Sequence, residues 1–338
     1  MVTMNQRVAQ VHCVGRHPKL NLISTLYRDH QVSHGWMDGI DINERLIFGL
    51  STGVGSLYLK NNNDLTPLFI GSNSLNPILD LSMSTGTWVN RRFSENTKKS
   101  IEEMKHYLLQ KDRPILVAVN PKIVQDCNVD YFEYKKNNAP FPISYCLVTE
   151  ITDENVTLYM SHRNHALEIP LFTFQEAIKE ITNKWVDLIF PNCEIDHTWS
   201  LQQSFIRSAH HYQSGWKDIH SGLDGLLEFT KDIFKYNNTS LWEQTKKHNE
   251  YLGGDFGRGW YSDHLKYLAN VLEDSSFLSI SKIYEELSEA WAMFMFDAEK
   301  NTLTRNLVKW VVMFEEEALK KMIEIADRKK KMRVRIGQ

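Results

Sequence analysis

The chain has 338 residues, and a composition of 42% hydrophobic and 24% charged residues excludes a largely disordered protein. A net charge of −3 gives no electrostatic case for a nucleic-acid or anionic-membrane partner, and no apolar run approaches the length of a transmembrane helix. Four cysteines are not a disulfide framework, and residues 1–16 lack the apolar centre of a signal peptide, so we expect a reduced, cytoplasmic protein.

The chain up to about residue 195 has a mixed α/β pattern. Apolar residues at helical spacing predict helices over 20–30 and 96–111, the second ended by Pro114. Short apolar runs predict four strands, at residues 115–119, 129–134, 145–152 and 156–160. The turn composition of residues 153–155 predicts that the last two strands form a hairpin. Thr173 and Glu176 match a capping box, which predicts a helix continuing to Trp185.

The remaining chain predicts helices only. Apolar stripes at helical spacing run over 223–234, 283–295 and 303–325, and the third stripe includes Trp310 and Phe314. We therefore predict an α+β protein with two domains, an α/β domain over residues 1–195 and an all-helical domain over residues 196–338.

Cys13 is the first candidate for chemistry. It follows His12 and precedes the helix predicted over 20–30, and a thiol at a helix N-terminus is favoured as the nucleophilic thiolate. The alternative is a small buried apolar residue, because free cysteines are among the most buried residue types. Cys146 lies in an apolar strand and is predicted to be core.

Metal and phosphate motifs are missing from the sequence. The histidine pairs His162/His165 and His210/His211 do not form a zinc-binding pattern, so we predict no metal site. The glycine-rich run at residues 49–55 lacks the lysine of a P-loop, which favours a tight turn with close backbone packing.

Residues 253–261 place four glycines among Asp255, Phe256, Arg258, Trp260 and Tyr261. Such a density of glycine permits close backbone approach or positive φ. One interpretation is a helix–helix turn with an internal ion pair between Asp255 and Arg258. The other is a substrate-facing loop that closes over the first domain.

Four features occur together in chain order: His12-Cys13, the loop at 49–55, the strand pair within 145–160, and the stretch from Glu250 to Tyr261. Together they resemble the butirosin biosynthesis protein H family. The resemblance implies a papain-like (C39-like) first domain followed by a helical domain. It also implies an acyltransferase of antibiotic biosynthesis that moves an acyl or aminoacyl group from an acyl carrier protein to an amine.

In that chemistry the acyl group leaves a phosphopantetheine thioester, passes through an enzyme cysteine, and forms an amide with a small-molecule amine. The thioester is carried by the partner protein, so no bound cofactor is expected. Cys13 is then the nucleophile, which needs a base and donors for the oxyanion.

The resemblance places Ser144 where the family has a histidine and His162 where it has an acidic residue. We therefore assign His162 as the provisional base and Ser144 as a supporting polar group, with His165 or His12 as the alternative imidazole. The provisional substrate-binding residues are His12, Glu250, Asp255, Arg258 and Tyr261.

Two other functions remain open from the sequence. A thioesterase or peptidase-like hydrolase on the same fold would use water as the acceptor. A non-catalytic protein that binds acyl carrier proteins would account for Ser144 and His162 at the expected histidine and acidic positions.

Overall fold

The computed structural model describes residues 3–34, 39–51, 53–59, 67–72, 74, 76–125, 128–130, 142–190, 197–215, 220–236 and 243–336. The helices, in chain order, are α1 (Met4–Val11), α2 (Leu20–His34), α3 (Glu44–Leu50), α4 (Pro77–Thr85), α5 (Thr97–Lys111), α6 (Leu171–Lys179), α7 (His197–Ser214), α8 (Gly222–Tyr236), α9 (Glu243–Tyr251), α10 (Arg258–Val271), α11 (Ser276–Lys300) and α12 (Arg305–Ile336). No helix in the described ranges is long and apolar enough to cross a bilayer.

The strands, in chain order, are β1 (Val54–Leu59), β2 (Leu68–Ser72), β3 (Trp88–Arg92), β4 (Ile115–Val119), β5 (Ser144–Ile151), β6 (Asn155–Tyr159), β7 (Leu167–Pro170), β8 (Trp185–Ile189) and β9 (His220–Ser221). They form a six-stranded sheet of order β3-β8-β4-β5-β6-β7 and a three-stranded sheet of order β2-β1-β9. Every strand pairing in both sheets is antiparallel. The protein is therefore mixed α/β with a helical C-terminal region.

The chain divides into two compact units. The first consists of residues 1–47 and 86–194, and the second of residues 48–85 and 195–338. The division at residue 195 drawn from the sequence differs from this in residues 48–85, which lie in the second unit with the helices of the C-terminal region.

The first unit contains the six-stranded sheet. Every residue of β4 is buried, as the continuous apolar run predicts for a central strand. The predicted hairpin is confirmed, since β5 and β6 pair with Leu147 opposite Tyr159. Of the run predicted as a strand over 129–134, residues 131–134 lie outside the described residues, while residues 129 and 130 are not in a strand.

Both helices predicted by apolar spacing in the first unit are confirmed. The side chain of Asn96 caps α5 by accepting a hydrogen bond from the Lys99 amide at 3.0 Å. The helix ends where Asp112 takes a left-handed conformation, with φ at 47°. Thr3 and Gln6 form a reciprocal capping box at the start of α1.

The predicted helix from Thr173 to Trp185 is wrong in its bounds. Helix α6 begins directly after Pro170, which has no capping side-chain hydrogen bond, so the capping box is not formed. The helix ends at Lys179, and Trp185 begins β8 as a buried residue. Four of the five residues of β8 are Trp, Val, Leu and Ile, which favour a strand, and this preference outweighs the local helical signal.

The second unit packs its helices with the three-stranded sheet. Leu57 of β1 lies opposite Ile70 of β2 and opposite Ser221 of β9, so this sheet joins residues far apart in the chain. The tight turn predicted in the glycine-rich run is confirmed. Gly53 has φ at +60°, and a Cβ there would lie 2.5 Å from the Tyr261 ring.

The third apolar stripe differs from its prediction over the first half of α12. Trp310 is 39% exposed, whereas Val311 is completely buried. The buried face also carries a charged residue, Glu315, which is 0% exposed. The helix is therefore rotated from the predicted register, because Glu315 has partners in the core that the sequence pattern does not reveal.

Candidate functional site

Cys13 lies in a short connection between two helices of the first unit. Helix α1 ends at Val11, and His12 is its C-cap, so the thiol follows a helix C-terminus. Cys13 is exposed, which overturns the alternative of a buried apolar residue. Cys146, by contrast, is fully buried, as predicted.

The expectation that Cys13 stands at a helix N-terminus is wrong. Helix α2 begins seven residues later, at Leu20. The His17 Nδ1 atom accepts hydrogen bonds from the backbone N–H groups of Lys19 and Leu20, both at 3.2 Å. This side chain replaces the usual capping residue, and Pro18 next to it suits a helix start. Cys13 is therefore not part of the start of α2, although Asn21 in the first turn of that helix donates to the Cys13 carbonyl oxygen.

The positive charge beside the thiol comes from Arg28 of α2. Its Nη1 atom lies 3.1 Å from Cys13 Sγ, and its Nη2 atom donates to Ser24 Oγ at 3.3 Å. Arg28 forms no ion pair with a carboxylate among the described residues. A guanidinium beside an exposed thiol is one of the settings in which reactive cysteines are found.

His12 is a buried anchor of this region. Its Nε2 atom lies 3.1 Å from the Met160 carbonyl oxygen and 2.7 Å from that of Arg163, and its Nδ1 atom lies 2.9 Å from Thr25 Oγ1. Carbonyl oxygens only accept, so Nε2 carries the proton of the neutral ring. Burial lowers the pKa of His12, which keeps the ring neutral. Both nitrogens are occupied, so His12 holds the backbone and is not free to serve as the imidazole for Cys13.

The turn that carries His162 is held against the segment that carries Cys13. The Gly15 amide donates to the Ser161 carbonyl oxygen at 2.7 Å. The Asn21 side-chain amide donates to the carbonyl oxygens of both Cys13 and Ser161, at 2.9 and 3.0 Å. His162 directly follows Ser161 and is partly buried, so its backbone lies close to that of Cys13.

Glu44 holds the other side of the Cys13 segment. Its carboxylate accepts hydrogen bonds from the backbone amides of Arg16, at 3.1 Å, and His17, at 3.0 Å. Burial raises the pKa of Glu44, while the two backbone donors oppose that rise. Asn21 and Glu44 together fix the backbone on both sides of the exposed thiol.

Ser144 begins β5 and is buried. Since β5 and β6 are antiparallel, the start of β5 and the residues after β6 lie at the same end of the pair, which places Ser144 and His162 at one end of the sheet. The Ser144 hydroxyl donates to the Asn128 carbonyl oxygen at 2.6 Å. Its proton is thus committed, and its oxygen remains an acceptor. His165 is exposed, with Nδ1 2.7 Å from Asn164 Oδ1.

The other provisional binding residues belong to the second unit. Asp255 lies in the turn between α9 and α10, where its carboxylate accepts from the amides of Gly257 at 2.9 Å and Gly259 at 2.7 Å, and from the Ser288 hydroxyl. Tyr261 is fully buried, and burial raises its pKa. Glu250 is exposed at the end of α9. Residues 252–257 thus form a helix–helix turn, and residues 258–261 are the first turn of α10.

The predicted ion pair within this turn is wrong, because Arg258 pairs with Glu315 of α12. The Arg258 Nε and Nη2 atoms each lie 2.7 Å from Glu315 Oε1, and both side chains are 0% exposed. Burial acts to lower the pKa of Arg258, but Glu315 and the nearby tyrosines raise it above its ordinary value. Arg258 is therefore a charged member of the core of its unit.

The rest of this buried network satisfies both charges. Glu315 also accepts from Tyr212 Oη at 2.8 Å and Trp291 Nε1 at 2.6 Å. Arg258 also donates to the backbone carbonyl oxygens of Phe256, Gly55 and Gly71, at 2.9, 3.0 and 3.4 Å. All the guanidinium nitrogens have partners, which is what a buried charge requires.

A second group of titratable residues in the first unit surrounds His30 of α2. Its ring stacks on Phe190 at 4.0 Å between centroids and on His34 at 4.3 Å. Burial, together with the charges of His34 and Arg113, lowers the pKa of His30 to about 3. The ring is therefore neutral across the physiological range.

Acidification is expected to destabilise the first unit through His30. An unfolded histidine titrates near pH 6.5, so between that pH and about 3 the unfolded chain binds more protons than the folded one. The stability is fully present above pH 6.5 and is lost as the pH falls, by up to about 1.4 kcal/mol per pH unit. His30→Phe should reduce this slope, measured by hydrogen exchange of α2 and β8 peptides in urea at pH 7.5 and 5. His165→Phe, at an exposed position, should leave the slope unchanged, and equal slopes for wild type and His30→Phe would contradict the assignment.

Comparison with known proteins adds no relative: no family model matches the chain, and no curated protein matches it. In the described part of the chain, no group of three or more His, Cys, Asp or Glu side chains could hold a metal ion. The site thus stands on its own geometry, of which Arg28, Asn21 and Glu44 were missed by the sequence analysis.

Proposed function

We propose that the first unit is a papain-like acyltransferase domain that forms amides from carrier-protein thioesters, with Cys13 as the nucleophile. The observation that carries the proposal is the exposed Cys13 Sγ atom 3.1 Å from the Arg28 guanidinium. An accessible thiol beside a permanent positive charge is the setting in which cysteines act as nucleophiles.

The reaction has two steps. The Cys13 thiolate attacks the thioester carbonyl carbon, and the phosphopantetheine sulfur leaves as a thiolate that takes up a proton. The resulting acyl-enzyme is attacked by the amine of the acceptor. That amine loses a proton to a base, and Cys13 Sγ leaves with its electron pair, so the thiol is regenerated and an amide is formed.

His162 is the proposed base of the second step and also assists formation of the thiolate. Its support is the pair of Asn21 hydrogen bonds that hold the turn of His162 against the Cys13 segment. Ser144, at the same end of the β5–β6 pair, is the proposed supporting acceptor. The acyl carrier protein and the small-molecule amine are the partners that this chemistry requires.

The test is acylation by an aminoacyl N-acetylcysteamine thioester, followed by intact-protein mass spectrometry. The wild-type chain should gain one acyl group, and trypsin should place it on the peptide 8–16, which contains Cys13. The peptides of the other three cysteines serve as internal controls. Cys13→Ala should form no adduct, and product formation by Cys13→Ala at the wild-type rate would falsify the covalent mechanism.

His162→Ala should slow acylation by about a hundredfold, as loss of a general base usually does. His165→Ala is the matched control and should acylate at the wild-type rate. Release of free acid at one rate with and without amines would instead identify a hydrolase. The absence of any adduct on the wild-type chain, together with retained binding of the carrier protein, would identify a non-catalytic binding protein.

A further inference from the structure

A cavity of about 360 Å³ lies in the first unit, between α1, α2, the end of α5 and the end of β8. On α2 it is lined by Leu26, Asp29, His30 and Ser33. At 100° per residue these positions lie on the face of the helix roughly opposite to that of Arg28, which contacts Cys13. The cavity is therefore a separate feature from the site around the thiol, within the size range of small-molecule sites.

The cationic side chains that line the cavity outnumber the acidic ones. Arg7 is already saturated, since its Nε atom lies 3.2 Å from Asp29 Oδ1 and its Nη1 atom 2.8 Å from Asp112 Oδ2. Lys111 and Arg113 also line the cavity, and neither forms an ion pair with a carboxylate in the described part of the chain. Three cationic and two acidic side chains leave the lining with one net positive charge, which a monoanion would neutralise.

One wall of the cavity, beside these cations, is apolar. Phe190 stacks on His30 with an interplanar angle of 12°, and Leu26 and Leu188 complete this wall. The Arg113 guanidinium carbon lies 5.9 Å from the centre of the Phe190 ring, which places this cation beside the apolar wall. The positive charge of Arg113 and the apolar wall are thus adjacent. This arrangement suits a ligand that has a carboxylate at one end and an apolar body at the other.

We propose that this cavity binds a small monocarboxylate with a flat apolar body, its carboxylate on Arg113 and Lys111 and its body against Phe190 and Leu188. A guanidinium binds a carboxylate through two parallel hydrogen bonds, which fixes the orientation of the ligand. A cationic ligand would be repelled by Lys111 and Arg113. Inorganic phosphate would satisfy the charge but leave the apolar wall unfilled.

Benzoate is the probe, with benzamide as its neutral isostere and inorganic phosphate as the purely anionic one. Binding to the full chain is measured at pH 7.5 by isothermal titration calorimetry and by saturation-transfer NMR of the ligand. Benzoate should bind saturably and at least about tenfold more tightly than either benzamide or phosphate. Equal binding of benzoate and benzamide, or of benzoate and phosphate, would overturn the proposal, as would the lack of saturable benzoate binding.

Arg113→Gln and Lys111→Gln should each weaken benzoate binding, Arg113→Gln by about tenfold or more. Lys98→Gln removes one positive charge from an exposed position on the same helix, α5, and should leave the affinity unchanged. An unchanged affinity in both Arg113→Gln and Lys111→Gln would overturn the assignment of the carboxylate. Cys13→Ala should bind benzoate normally, so this test is independent of the proposed acyl transfer.

Discussion

Replacing Glu315 with Gln is expected to lower the free energy of unfolding of the second unit by about 3–5 kcal/mol. The variant keeps the size of the side chain and removes its charge, which leaves the fully buried Arg258 guanidinium without a counter-ion. An unpaired charge in a core costs far more than the pair contributes when it is intact. The measurement is hydrogen exchange of peptides from residues 48–85 and 195–338 as a function of urea concentration.

Two comparisons make this experiment specific. Glu316→Gln changes the next residue, which is exposed, and should alter the free energy by no more than about 0.5 kcal/mol. The double variant Arg258→Met, Glu315→Leu removes both charges and should be less destabilised than Glu315→Gln alone. Equal protection in Glu315→Gln and Glu316→Gln would show that the pair does not hold the unit together.

Gly71→Ala is the second substitution with a large expected effect. Gly71 lies on β2, and a Cβ there would lie 1.9 Å from the Phe256 carbonyl oxygen and 2.5 Å from Arg258 Nη1. The Phe256 carbonyl is backbone and accepts a hydrogen bond from Arg258, so it cannot move without disturbing the buried network. We expect a loss of at least about 3 kcal/mol from the second unit, since overpacking a core commonly costs 1–3 kcal/mol and more where backbone must move.

Gly254→Ala separates this overpacking from the effect of backbone conformation. Gly254 has φ at +92°, but a Cβ there would meet nothing within 4 Å. Its replacement should therefore show only the cost of a left-handed residue, about 1–2 kcal/mol. The ordering is read from the same exchange experiment, and a smaller loss for Gly71→Ala than for Gly254→Ala would contradict the close approach of β2 to Phe256.

Local patterns were enough to predict much of the first unit. The apolar run of β4, the turn between β5 and β6, and the end of α5 at Lys111 each depend on neighbouring residues only, and these elements are confirmed. The predicted helix from Thr173 to Trp185 failed because its C-terminal part depends on distant contacts. A strand in the middle of a sheet is chosen by its partners, β3 and β4, and those pairings are distant in sequence.

The residues around Cys13 also divide into those that local sequence indicates and those that depend on distant contacts. Cys13 could be named as a candidate from the chemistry of a thiol, and His162 from the resemblance to a known family. The contact of Arg28 with the thiol depends on the rotation of α2, and the Asn21 hydrogen bonds depend on where the turn after β6 is placed. Glu315 was hidden for a related reason. It is the first of three consecutive glutamates in an amphipathic helix, where such residues are ordinarily exposed, and its partner Arg258 lies 57 residues away.

The path of the chain through the two units has a consequence for how the protein is made. Residues 48–85 leave the ribosome early, yet β1 and β2 complete their unit only with helices that follow residue 195. Until then the apolar side chains of Leu57, Phe69 and Ile70, which are buried in the finished unit, lack the partners that cover them. A fragment that ends at residue 195 would therefore not be an independent N-terminal domain. It would expose the apolar side chains of β1 and β2, which are buried only within the second unit, and we expect it to aggregate.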